Sequence, residues 1–190
     1  SNALFNVYNE TAVITLFRQL GYQPEQIASL LKQAKLPENR DRTVEVNGVQ
    51  IHDLCSKRQN PTAMSTTMEY AGREPGNKAV IMLYDELVKE DYRIEATPYL
   101  YSTDYQFLND ESIKHIIVIG QRCREHKIRL LLAGVKPERI AVAERIEEID
   151  PLVSFTDVDK YIILHDVTYS VANRDHIIDV IRKNITERGA

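Results

Sequence analysis

Between Gly120 and Gly134 the chain reads Gly-Gln-Arg-Cys-Arg-Glu-His-Lys-Ile-Arg-Leu-Leu-Leu-Ala-Gly, and two guanidinium groups and a carboxylate fall there at helical spacing. Arg122, Glu125 and Arg129 stand at i, i+3 and i+7, so a helix places them along one face. Paired arginines can grip phosphate or carboxylate oxygens through bidentate forks. The segment follows an apolar, strand-like run, and the C-terminal ends of strands are where open α/β sheets bind ligands. The same spacing makes Glu125 and Arg129 an ordinary i,i+4 surface pair worth about 0.2–0.5 kcal/mol, and spacing alone favours that commoner case. Ile128, Leu131, Leu132 and Val135 are expected to form the buried stripe of this helix. Cys123 lies near the helix start, where the dipole and Arg122 or Arg124 could lower its pKa. Its alternative is an inert, buried thiol.

A second polar motif runs from Asp53 to Met64. Asn60 precedes a proline and is biased toward extended backbone, while Pro61 suits a first helical position. A helix N-terminus there offers free N–H groups to an anion; a plain capped loop is the alternative. The five histidines, His52, His115, His126, His165 and His176, are dispersed without a metal-binding spacing. His165-Asp166 follows a strand and either faces the ligand edge or makes a satisfied local contact. Cys55 and Cys123 lie far apart, so reduced thiols are expected and no zinc or redox motif is legible. No Gly-x-x-x-x-Gly-Lys-Ser/Thr phosphate loop occurs in the sequence.

The elements that must position these groups alternate in period. Val7, Ile14, Leu16, Phe17 and Leu20 predict an amphipathic helix stopped by Gly21, and a second helix begins near Pro24 with Ile27, Leu30 and Leu31 on one side. Leu36–Arg42 reads as a polar linker. Thr43–Val46 and Val49–His52 alternate around Asn47-Gly48, a strong hairpin signal. Strands are expected at Ala79–Leu83, His115–Ile119, Arg139–Val142 and Tyr161–Leu164. Helical patterns near Pro61–Tyr70, Cys123–Ala133, Arg145–Ile149 and Asn173–Ile185 separate them, and the tyrosine-rich stretch from Val88 to Leu108 has no clear period. The expected fold class is α/β: a Rossmann-like, mostly parallel sheet with helices on both faces, preceded by the hairpin and a short N-terminal helical segment. The chain of 190 residues is 43% hydrophobic and 27% charged, which suits a globular domain. A net charge of -4 gives no global attraction to nucleic acid or anionic membrane, and no apolar run is long enough to span a bilayer. A cytoplasmic location is the expectation.

The pattern Gly-x-Arg-x-x-acid-x-x-x-Arg-Leu-x-x-Ala-Gly, filled here by Gly120, Arg122, Glu125, Arg129, Leu130, Ala133 and Gly134, resembles the C-terminal domain of MurT-type Mur ligases. Other segments agree in order. Asp53 through Asn60-Pro61 and Met64 resembles the Asp…Asn-Pro-x-x-Met opening of Mur ligase C-terminal domains. Phe5–Ala12 resembles the Asn-x-Tyr-Asn-x-x-Ala helix near the end of the Mur central domain. Pro37-Glu38-Asn39-Arg40 resembles the family's Pro-x-Gly-Arg hinge, with Asn39 in the place of glycine, and Thr168-Tyr169-Ser170 resembles the MurT Thr-Tyr-Thr. The chain departs from the family at Pro98–Gln106. Ser102 stands where MurT proteins carry an aspartate thought to complete an amidotransferase triad, and Ser102 lacks the charge to stabilise a histidinium.

Ser1-Asn2-Ala3 reads as a tag remnant, and the resemblance implies residues 4–36 as the helical tail of the central domain, 37–42 as a hinge linker and 43–190 as the C-terminal domain. It implies a parent that uses ATP and Mg to activate the D-glutamate α-carboxylate of lipid II, with ammonia delivered by a GatD-like glutaminase subunit. Arg40 would then sit at the hinge, and Asn60 on the nucleotide side. Arg122, Arg129, Thr168 and Tyr169 become candidate substrate- or nucleotide-binding residues, Tyr99, Tyr101 and Tyr105 a partner-binding cluster, and Asp104 the candidate catalytic acid. Without the phosphate loop the chain alone is expected not to turn over ATP. Two rival readings are another Mur-type ligase that adds an amino acid, and a divergent, non-catalytic interaction module.

Overall fold

The computed structural model describes residues 4–34, 41–56, 60–85, 98–166 and 171–188. The chain divides into two compact units, Ser1–Glu38 and Asn39–Ala190. In the first, α1 (Leu4–Gln19) and α2 (Pro24–Gln33) form the expected helical pair. The turn between them closes with Tyr22 N–H donating to Phe17 O at 3.0 Å, and the Phe17 and Tyr22 rings meet edge to face at 5.1 Å. Ile27 is buried, whereas Val7, Leu16 and Leu20 are exposed.

In the second unit, β1 (Asp41–Val46) and β2 (Val49–Ser56) form the hairpin. Asn47 and Gly48 both take positive φ, 49° and 81°, as a tight two-residue turn that matches the strand twist requires. The hairpin is part of the main sheet rather than a preface to it. With β3 (Lys78–Asp85), β4 (Ile113–Gly120), β5 (Ile140–Ala143) and β6 (Lys160–Asp166) it makes six strands in the order β1-β2-β6-β3-β4-β5. Among the described residues only the β1–β2 pairing is antiparallel. All four strands expected beyond the hairpin are present, each within two residues of its expected ends.

Strand alternation sorts the core into two layers. Val80, Met82, Ile116, Val118, Ile162 and Leu164 face a layer completed by α3 (Pro61–Arg73), a short α4 (Pro98–Ser102) and α5 (Cys123–Leu132). Ala79, Ile81, Leu83, Ile117, Ile119 and Ile163 face the layer of α6 (Val171–Arg188), which contributes Ile177, Ile178, Ile181 and Ile185. The helix expected over Arg145–Ile149 is instead a single 3₁₀ turn, Ile146–Glu148, followed by another at Asp150–Leu152, where Pro151 prevents a continuous ladder.

Two buried charged clusters tie these layers together. Asp53 on β2 is fully buried, and Arg174 Nη1 on α6 donates to its Oδ2 at 2.6 Å. Arg42 Nε on β1 lies 3.2 Å from the same oxygen, and His165 Nε2 on β6 lies 3.2 Å from Oδ1. At the opposite end of the sheet Lys78 is also fully buried. Its ammonium donates to Gly72 O at 3.2 Å, to Glu74 O, and to Ser112 Oγ at 2.7 Å, which can occupy all three of its protons. Burial pulls the Lys78 ammonium below its ordinary pKa, with Asp110 opposing that pull. Lys160 beside it donates to Glu74 at 2.7 Å.

Two outcomes test this packing. Gly72→Ala in α3 should destabilise by about 1–3 kcal/mol in denaturant titration, although alanine is the better helix former. The reason is contact: the added Cβ would lie 2.5 Å from the backbone oxygen of Phe107. Arg174→Met should cost about 3–5 kcal/mol in the same measurement, because it strips the buried Asp53 carboxylate of its shortest partner.

Candidate functional site

Strands β2, β3, β4 and β6 run parallel and end at one edge with Ser56, Asp85, Gly120 and Asp166. Open α/β sheets place ligands there. Asn60 stands at this edge as the cap of α3, its Oδ1 accepting from Ala63 N–H at 3.0 Å, with Pro61 as the first helical residue. Arg122 is half-buried at the N-cap position of α5. Arg40, Thr168 and Tyr169 lie outside the described residues. Cys123, the first residue of α5, is wholly buried, and burial pushes its thiol up, reinforced by Glu144 and opposed by Arg124. The inert alternative for this thiol is therefore the one the environment supports.

The stripe expected on α5 is not the one the fold buries. Ile128, Leu131 and Leu132 are exposed, and Val135 alone of the four is buried. The inward face is Cys123, His126 and Leu130. A histidine occupies it because the Tyr105 hydroxyl lies 2.6 Å from His126 Nδ1, and the His126 ring stacks on buried Tyr84 at 5.8 Å. Counting His126 as polar shifts the apparent apolar stripe around the helix. Arg129 is correspondingly half-buried rather than on an exposed face. Its Nε donates to Leu100 O at 2.8 Å, and its guanidinium carbon lies 5.4 Å from the ring centres of both Tyr101 and Tyr105.

The segment that carried no clear period contains α4 and a 3₁₀ turn, Tyr105–Asn109. Tyr99, Leu100, Tyr105 and Leu108 turn inward, whereas Tyr101 is 71% exposed. This corrects the expected tyrosine surface: Tyr99 and Tyr105 are core residues, and Tyr101 is the one available to a partner. Asp104 Oδ1 caps the 3₁₀ turn by accepting from Gln106 N–H at 3.1 Å, and Asp104 N–H donates to Ser65 Oγ at 2.9 Å. Tyr101, Ser102, Asp104, Gln106, Arg129 and Leu132 share a cleft of about 300 Å³.

The structure thus brings Asp104, Tyr101 and Arg129 together, while Asn60 and Arg122 stand at helix starts beside the strand ends. Sequence reasoning missed His126 as a buried support and Arg174 as the partner of Asp53. Nothing in local spacing marks either residue, since each is explained by a partner distant in sequence. Among the described residues no three His, Cys, Asp or Glu side chains gather as metal ligands would, and no helix is long and apolar enough to cross a membrane.

Comparison with known proteins follows the same lines. Residues 58–171 match the MurT ligase C-terminal family. The chain is 24% identical over 132 residues to the MurT subunit of lipid II isoglutaminyl synthase (glutamine-hydrolyzing) of Staphylococcus aureus strain COL, and equally to that of strain N315, covering 70% of this chain. It spans 29% of the length of those relatives. Among solved structures, UDP-N-acetylmuramate-alanine ligase MurC of Thermotoga maritima superposes with a TM-score of 0.65 at 15% identity, over 100% of this chain and 39% of that one. MurF of Acinetobacter baumannii gives 0.64 at 17% identity, over 93% and 37%. MurF of Thermotoga maritima, in complex with ADP, gives 0.53 at 20% identity, over 92% and 37%. The fold is that of part of the Mur ligases, and the family match extends across the ends of β3, β4 and β6, the Asp104 cleft and α5: the chain belongs to the MurT ligase C-terminal family.

Proposed function

We propose that this chain is the C-terminal part of a MurT-type ligase subunit that amidates a lipid II-type peptidoglycan precursor. The parent would use ATP and Mg to activate the D-glutamate α-carboxylate, and a GatD-type glutaminase would supply ammonia. In this reading residues 4–36 are the tail of the preceding domain, 37–42 the hinge and 43–190 the domain that closes over nucleotide and substrate. In this reading the phosphate loop belongs to the parent, because this sequence contains none, and Asn60 caps the first turn of α3 at the ligand-facing edge. ATP chemistry is therefore assigned to the parent, and Arg40, Asn60, Arg122, Thr168 and Tyr169 to the ligand-facing edge.

The observation that carries the reading is that the MurT family match includes the Pro98–Asn109 segment, where an acid is held at a surface cleft. In this reading the family's aspartate position falls at Ser102, which is exposed. Asp104 lines the same cleft, its carboxylate oriented by the Gln106 amide. A carboxylate fixed in this way can orient and stabilise an imidazolium offered by a partner, a role defined by geometry rather than by position in a motif. Tyr101 supplies the exposed aromatic surface beside it.

The test is an amidation assay of the full-length protein with ATP and lipid II, comparing glutamine plus glutaminase with free ammonia as the nitrogen source. Asp104→Asn is expected to lower glutamine-driven amidation by about 100-fold or more while leaving ammonia-driven amidation largely intact. Equal loss with both sources would remove Asp104 from the glutaminase role. Incorporation of an amino acid instead of ammonia would replace the amidation reading with that of an amino acid-adding ligase, and no ligation at all would favour the interaction module. The 190-residue chain alone is expected to show no ATP hydrolysis in a phosphate-release assay.

A further inference from the structure

We infer that Arg129 is a positioning residue for the Tyr101–Gln106 edge, setting from α5 the shape in which that edge meets its partner; the inference rests on the docking reading proposed above. α4 and the 3₁₀ turn that follows contain five residues each, too few to hold a conformation by their own hydrogen bonds. Their shape is imposed by neighbours. Ser65 Oγ holds Asp104 N–H, Arg139 Nη2 holds Leu108 O at 3.3 Å and Asp110 O at 2.7 Å, His126 meets the Tyr105 hydroxyl, and Arg129 Nε holds Leu100 O.

Arg129 differs from the other three supports in where it lies. It lines the cleft together with Tyr101 and Asp104, so the same side chain both fixes the segment and faces the partner. Leu100 O lies in the last turn of α4, where carbonyls lack intrahelical partners and a cation is favoured. The guanidinium plane also reaches two rings at once, buried Tyr105 and exposed Tyr101, each with its centre 5.4 Å away. Tyr105 is immobilised by burial and by His126. Arg129 transmits that fixed position outward to Tyr101, a ring 71% exposed that would otherwise sample several rotamers. A lysine could supply the charge but not the planar group that donates to a carbonyl while covering two rings. An aromatic contact already held in its bound rotamer loses less freedom on association, which is how preorganisation raises affinity.

The experiment measures binding of the full-length protein to the GatD-type glutaminase of the same organism by calorimetry, with melting temperatures recorded for every variant. Arg129→Gln should weaken the affinity by about tenfold or more through lost preorganisation, with the variant still folded. Tyr101→Ala, which leaves the core intact, should weaken it to a similar degree. Combining the two should cost little more than either alone, because Arg129 acts through Tyr101. Ile181→Val, in the core layer on the other face of the sheet from α4 and α5, should lower the melting temperature and leave the affinity within about twofold, since it touches none of the residues that hold this edge. Arg129→Lys should recover only part of the loss and also serves if Arg129→Gln does not fold. Full recovery by lysine, additive losses in the double variant, or unchanged affinity for Arg129→Gln would each overturn the inference while leaving the docking reading standing. A wild-type protein that does not bind the glutaminase would overturn the docking reading itself.

Discussion

A carboxylate with no access to water sets the terms for much of this domain. Asp53 is fully buried between Arg42 on β1 and Ile163 on β6, and an isolated charge there would be prohibitively costly. It is tolerated because β1 brings Arg42, β6 brings His165 and α6 brings Arg174 to the same group. Those three elements are consequently constrained in position as well as in packing: hydrophobic contact would allow α6 to slide, whereas a guanidinium 2.6 Å from a buried oxygen would not. Its contribution is therefore better understood as geometric specificity than as net stability, since well-packed apolar replacements of such pairs can be equally stable.

The two ends of the sheet have been put to different uses. At the end where the parallel strands begin, Lys78 donates to the Gly72 and Glu74 carbonyls and to Ser112, and Lys160 pairs with the Glu74 carboxylate, drawing helix, loop and strand together around saturated donors. Hydrogen bonds from Lys160 and Tyr70 hold the Glu74 carboxyl below its ordinary pKa although burial opposes them. That end is closed by its own side chains. At the end where the strands finish, Asn60 and Arg122 stand at helix starts, whereas the Asp104 cleft lies against the later part of α5, lined there by Arg129, Leu132 and Ala133.

Legibility in the sequence followed the range of the interaction that decided each feature. The Asn47-Gly48 turn, the strands and α3 depend on neighbours in sequence, and local period and turn chemistry were enough to find them. The α5 face was misassigned because the burial of His126 depends on Tyr105, a residue in another element. Pro98–Asn109 lacked a period because α4 and its 3₁₀ turn are held by arginines, a serine and a histidine from outside the segment. The candidate site was legible mainly through family resemblance, which pointed to Asp104 and the tyrosines but could not separate exposed Tyr101 from buried Tyr99 and Tyr105.

The strand order has a consequence for how such a domain is made. β6 is the last of the described strands, yet it lies between β2 and β3, near the middle of the sheet. During synthesis, both of those strands must wait with unsatisfied edges until residues 160–166 have emerged, so the sheet cannot close outward from an early nucleus. A ribosome paused before that point would hold two separate sheet fragments, each with an apolar edge suited to pairing with another chain. The exposure of those edges thus lasts from the emergence of β3 until β6 inserts between β2 and β3.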